Sequence, residues 1–96
     1  VVNIDIARYQ NMKDLKLNGF HYDNNMVENL GEVYYERDDN EDDYLVIFPD
    51  TEDSERSIVV FYVGCQIAFV TTFINETEHS GIEAYINDRI SKYYKD

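Results

Sequence analysis

An α+β fold is expected for this chain: an antiparallel four-stranded meander sheet with a C-terminal helix packed on one face. Three observations predict it. Four runs rich in β-branched and aromatic residues follow one another between Glu32 and Ile74, joined by short polar or glycine-containing connections. Beyond them, Ile82, Ile86, Ile90 and Tyr93 recur at helical spacing. Finally, 96 residues with 44% hydrophobic content are enough for one domain, residues 1–96, around a single modest core.

The elements read in order as follows. The first twenty residues fit two patterns. Val2, Ile4 and Ile6 alternate like a strand, whereas Ile6, Tyr9 and Met12 share a helical face that Asn3 could cap. Either a strand or a short helix is expected there, ending before the turn dipeptide Asn18-Gly19. HYDNNMVENLG holds a possible short helix, capped by Asp23 and stopped by Gly31. GEVYYER reads as the first strand of the meander and DDNEDD as a polar loop. DYLVIFP is the next strand, ended by Pro49, and DTEDSE is a second polar loop. RSIVVFYV and QIAFVTTFI are two strands around Gly64-Cys65, where glycine in first position suits a type II′ hairpin turn. The helix is expected to open with a capping box, Ser80 and Glu83, and to end among Arg89, Lys92 and Lys95, which complement its dipole.

The composition narrows the chemistry. The formal net charge is −12, the opposite of a nucleic-acid-binding protein, so neither direct nucleic-acid binding nor attachment to an anionic membrane is expected. The fitting partners are basic surfaces. A single cysteine, Cys65, points to a reducing compartment, and no apolar run has signal-peptide or membrane-spanning length, so a cytoplasmic protein is expected. His21 and His79 have no Cys nearby, and no HExxH or CxxC motif occurs. The four glycines stand singly, away from any phosphate-cradling pattern. Asp38, Asn40 and Asp42 imitate the first ligands of a calcium loop, but Asp43 and Pro49 stand where glycine and glutamate are required. No cofactor, no metal and no catalysis are therefore expected.

What stands out is the distribution of acid. Eleven carboxylates, Glu32, Glu36, Asp38, Asp39, Glu41, Asp42, Asp43, Asp50, Glu52, Asp53 and Glu55, fall in a span whose only base is Arg37. In a meander, DDNEDD and DTEDSE sit at opposite ends of the strand that joins them. From Asp43 to Pro49 that strand covers about 23 Å, over which one strand of duplex DNA shows roughly seven phosphates. The two loops carry nine acids. Glu32 and Glu36 alternate with Val33 and Tyr35, so both should face solvent with Tyr34 between them. Solubility alone is served by mixed charges and a smaller net charge, of magnitude about 2–8. These eleven residues are the expected partner-binding surface. Tyr34 and Tyr44 could add apolar contact, although packing is the commoner role for such residues.

In size, charge, acidic loops and lack of catalytic motifs, the chain resembles the acidic phage proteins that imitate DNA. Anti-restriction proteins such as Arn of the T-even phages, uracil-glycosylase inhibitors and several anti-CRISPR proteins belong to that class. The resemblance implies a phage-encoded inhibitor that binds a basic DNA-binding protein or nuclease of the host, in the host cytoplasm and often as a homodimer. An immunity protein or antitoxin that neutralises a basic nuclease toxin is the alternative, on the same physics.

Overall fold

The alternation of apolar residues along four successive runs does build a meander, and a fifth strand joins it. A computed structural model describes residues 12–24 and 32–94. A single 3-10 turn at Met12–Asp14 precedes β1 (Phe20–Tyr22), β2 (Val33–Arg37), β3 (Asn40–Pro49), β4 (Arg56–Val63) and β5 (Gln66–Ile74). The helix α1 (His79–Tyr93) follows. The five strands lie in sequence order, each antiparallel to the next.

β1 corrects the expected count of four strands. Gly19, at φ +80°, turns the chain, and Phe20 N–H donates to Leu17 O at 3.1 Å. Phe20, His21 and Tyr22 then pair with Arg37, Glu36 and Tyr35. Asp23 N–H continues the edge by donating to Tyr34 O at 2.9 Å. Three residues are too few for a period-two pattern to show in a sequence. The short helix expected beyond Asp23 and the element expected at residues 1–11 lie outside the described residues.

β3 is longer than expected at its start. Only Asp38 and Asp39 form the turn after β2, and Asn40–Asp43 already belong to the strand. The ladder shifts register between Glu36 and Arg37, pairing Glu36 with Tyr44 but Arg37 with Asn40. Acidic residues disfavour strands by propensity, and here the ladder overrides that preference.

The core lies between the sheet and α1. Val33 and Tyr35 of β2, Leu45 and Ile47 of β3, Val59 and Phe61 of β4 and Phe73 of β5 form its floor. Ile82, Ile86 and Ile90 cover it, four residues apart on one helical face. Full burial of a side chain of that size stabilises by about 1.5–3 kcal/mol. Met12, Leu15 and Leu17 close the remaining side. Tyr93, expected in the apolar stripe, is exposed instead, and Tyr94 packs against the core.

Two local expectations are corrected. α1 begins at His79 with Glu78 as N-cap and no side-chain cap, so Ser80 falls inside the first turn. Glu83 turns away from a capping box and accepts from Lys16 N–H at 2.8 Å. One turn on, Asn87 accepts from Asn18 N–H at 2.7 Å and donates to Lys16 O at 3.0 Å. The helix thus holds the segment before β1. At the β4–β5 turn, Gly64 (φ +58°) and Cys65 (φ +66°) are both left-handed, which is type I′ and not the expected II′.

Candidate acidic interface

The β2–β3 hairpin positions the first group of carboxylates. Asp38 and Asp39 occupy its tip, with Glu41 and Asp42 on the following residues of β3, all exposed. Glu36 and Glu32 are half-buried on the sheet face opposite the helix, because Val33 and Tyr35 between them point to the core. Tyr34 lies between the two acids and donates to Glu32 Oε1 at 3.3 Å. The β3–β4 connection positions the second group, with Asp50 half-buried and Glu52, Asp53 and Glu55 exposed. Asp50 and Asp53 each accept from a backbone N–H two residues on, at 2.9 and 3.0 Å, and so shape their own loop.

β3 separates the groups. Its ten residues, Asn40–Pro49, span about 33 Å at roughly 3.3 Å per residue. Between the ends its outward residues are Tyr44, Val46 and Phe48, which alternate with Asp43, Leu45 and Ile47. Tyr44 stacks on Tyr62 of β4, with centroids 4.6 Å apart and planes 14° from parallel. The acidic surface therefore consists of two clusters flanking an apolar, aromatic band on β3.

Asp43 leaves the surface altogether. It is 3% exposed and points to the core side at the C-terminal end of α1. Tyr94 O–H donates to it at 2.6 Å, Gly64 N–H at 3.0 Å and Arg37 Nη1 at 3.4 Å. Arg37 in turn lies over the Tyr94 ring, 3.6 Å from its centroid. Burial opposes ionisation of Asp43, but the bonds from Tyr94, Gly64 and Arg37 outweigh it and hold its pKa below the usual 3.8. Burial, and then the bond to Asp43, push the Tyr94 phenol up to about 12. Period-two alternation with Leu45 and Ile47 was the signal that put Asp43 indoors.

Bases neutralise part of what remains. Arg37 Nε reaches Asp39 at 3.0 Å, and Arg56 Nε reaches Asp53 at 3.6 Å. His21 bridges the strands, with Nδ1 2.6 Å from Asp38 and Nε2 3.2 Å from Glu36. The hydrogen bond to Asp38 raises its pKa above 6.5. His21 was invisible as a participant in the sequence, because its partners lie 15 and 17 residues away. Among the described residues, no base comes within 4.0 Å of Glu41, Asp42, Asp50, Glu52 or Glu55. Beside the first cluster, Tyr34, Tyr44, Glu36, Glu41 and Asp42 line a cleft of about 290 Å³. Such a cleft offers carboxylates and aromatic faces together, the combination that receives a Lys or Arg side chain.

Among the described residues, no three His, Cys, Asp or Glu side chains converge as they would around a metal ion. No helix among them is long and apolar enough to cross a membrane. Comparison of the chain with protein-family models, with curated proteins and with solved structures returned no match.

Proposed function

We propose that this protein is a non-catalytic, acidic inhibitor that occupies the nucleic-acid cleft of a basic DNA-binding protein or nuclease. One observation carries the reading: two clusters of exposed carboxylates, in excess over the bases beside them, stand about one ten-residue strand apart at the ends of β3. Over about 33 Å, one strand of duplex DNA shows roughly ten phosphates. Eight acids lie at or just beyond the two ends of that length, Asp38, Asp39, Glu41 and Asp42 at one and Asp50, Glu52, Asp53 and Glu55 at the other, with Glu36 on β2 and Glu32 just before it.

Their grouping shapes the partner. Two cationic patches some 30 Å apart, rather than a uniform basic groove, match the clusters best. Between them the band of Tyr44, Phe48 and Tyr62 offers apolar contact near the middle of the interface, where such contact counts most. The charge speeds encounter and the aromatic band lengthens the residence. A phage-encoded protein acting in the host cytoplasm fits this chemistry, and the free thiol of Cys65 suits a reducing compartment.

The test is capture of partners from bacterial lysate at about 0.1 M salt, followed by a wash at about 0.5 M and competition with duplex DNA. DNA-binding proteins or nucleases should be retained and then displaced by DNA. A variant with Glu41, Asp42, Glu52 and Glu55 changed to Lys should keep its thermal stability, because all four are exposed and no base among the described residues lies within 4.0 Å of them. At about 1 kcal/mol for each reversed charge, it should bind the captured partner about 10³-fold more weakly. Retention that DNA leaves untouched, or that the four reversals leave unchanged, refutes the reading.

A further inference from the structure

β5 differs from the rest of this surface. Among the described residues it is paired along one side only, to β4. Its nine residues, Gln66–Ile74, contain no charge and no proline. Ile67 is 61% and Val70 57% exposed, and Ile74 and Tyr93 of α1 are exposed beside them. A groove of about 380 Å³ runs between β5 and α1, lined by Ala68, Val70, Thr71, Arg89, Lys92 and Tyr93 among others. Edge strands in monomeric proteins are ordinarily guarded by charge, proline or great shortness. In a chain with 20 acids, a long edge without one charge marks a surface that is covered.

We propose that the occupant is a second copy of this chain, whose β5 pairs antiparallel with the first to make one continuous ten-stranded sheet about a two-fold axis. Charge selects this partner over others. A basic protein is drawn to the carboxylate clusters and gains nothing electrostatic from an uncharged strand. Two copies, each at −12, can meet only where their acids stay apart. Joined through β5, the two β3 strands are separated by five strand spacings of about 4.8 Å, or about 24 Å, three Debye lengths at physiological salt.

The antiparallel sense is set by charge as well. Arg89 and Lys92 flank the first half of β5, near Ala68–Thr71. Lys92 also pairs with Asp88 at 3.1 Å, and Arg89 lies over the Tyr85 ring at 5.3 Å. The far end of β5 adjoins the acidic β3–β4 connection, where Asn75 N–H donates to Glu55 O at 2.8 Å and Asn75 Nδ2 to Ser54 O at 3.0 Å. Antiparallel pairing brings the basic half of each β5 against the acidic end of the other. Ile67 and Val70 project from the same sheet face as Tyr62 and Val60; with the axis near Val70, the centre of β5, the two Val70 side chains meet there and each Ile67 lies along the seam to one side.

The experiment is mass measurement by sedimentation velocity over about 1–100 µM, a range that brackets ordinary homodimer affinities. The wild-type chain should sediment at twice 11.4 kDa. Ile67→Lys with Val70→Lys should sediment at 11.4 kDa with an unchanged far-ultraviolet spectrum, because both side chains are exposed in the single chain. Amide hydrogen exchange on the wild type supplies an independent reading that needs no variant: residues 66–74 should exchange at least tenfold more slowly at the top of the range than at the bottom. A wild-type chain of single mass whose β5 amides exchange equally at both concentrations overturns the proposal. So does a double variant that remains a dimer.

Discussion

Replacing Asp43 by alanine separates a structural carboxylate from the acidic surface around it. Asp43 accepts from Tyr94, Gly64 and Arg37, and so ties the end of α1 to β2 and to the β4–β5 turn. Removing it takes the shared acceptor from three donors, on the half-buried Arg37 and Tyr94 and on the exposed Gly64. Breaking a buried ion pair on one side costs about 3–5 kcal/mol, and an orphaned neutral donor about 1–3 kcal/mol. Arg37 keeps Asp39 at 3.0 Å and is itself half-buried, which places the expected loss at the lower end, about 3 kcal/mol. For a domain of this size that lowers Tm by roughly 12–24 °C. Asp42→Ala, one residue away and exposed, is the control and should stay within about 0.5 kcal/mol of the wild type. The assay is thermal and urea unfolding followed by circular dichroism at pH 7. A second signature lies in pH. The pKa of Asp43 is lower folded than the usual 3.8, so its contribution is present above that value and is lost as pH falls through the folded pKa. The gap between Asp43→Ala and wild type should therefore narrow in acid. Equal stability of the Asp43 and Asp42 variants at pH 7 would refute the clasp described at the end of α1.

Three further outcomes are expected. Gly64→Ala should destabilise by about 1–2 kcal/mol, since a Cβ there meets nothing within 4 Å and the whole cost is the left-handed backbone, while Cys65→Asn should stabilise by about 0.5–1 kcal/mol; denaturant midpoints check both, and a loss in Cys65→Asn would contradict the type I′ assignment. His21 should titrate above 6.5 by NMR and fall back in Asp38→Asn. Because its folded pKa is raised, the stability it lends is full below 6.5 and disappears as pH rises through the folded value. An unshifted His21 would remove the bridge from the first cluster.

How much of this was legible in the sequence depends on the length over which a pattern repeats. α1 and the strands β4 and β5 were readable because Ile82, Ile86 and Ile90, and the long apolar runs before them, repeat a period several times. β1 has three residues and no repeat to read. DDNEDD looked like a loop because Asp and Asn favour turns, yet ladder pairing drew Asn40–Asp43 into β3. Ser80 and Glu83 had the spacing of a capping box, but Lys16, 67 residues away in sequence, took the carboxylate. No local pattern encodes such a partner. For the acidic surface, the sequence marks where the carboxylates lie along the chain, and the alternation of Asp43 with Leu45 and Ile47 marks it for the core side, a signal masked by the loop-like composition of DDNEDD.

The order of the strands also governs how the molecule assembles. Every pair of neighbours in the sheet is a pair of neighbours in the chain, so each hairpin closes a short loop and can zip onto the last. The bonds from Lys16 to Glu83 and from Asn18 to Asn87 span 67 and 69 residues and form only once sheet and helix are in place. The segment leading into β1 is therefore the last to lock. Its Met12, Leu15 and Leu17 cover one flank of the core, so opening of this segment would expose that flank while the ladder pairs of β2 to β5, and the carboxylates they carry, stay in register.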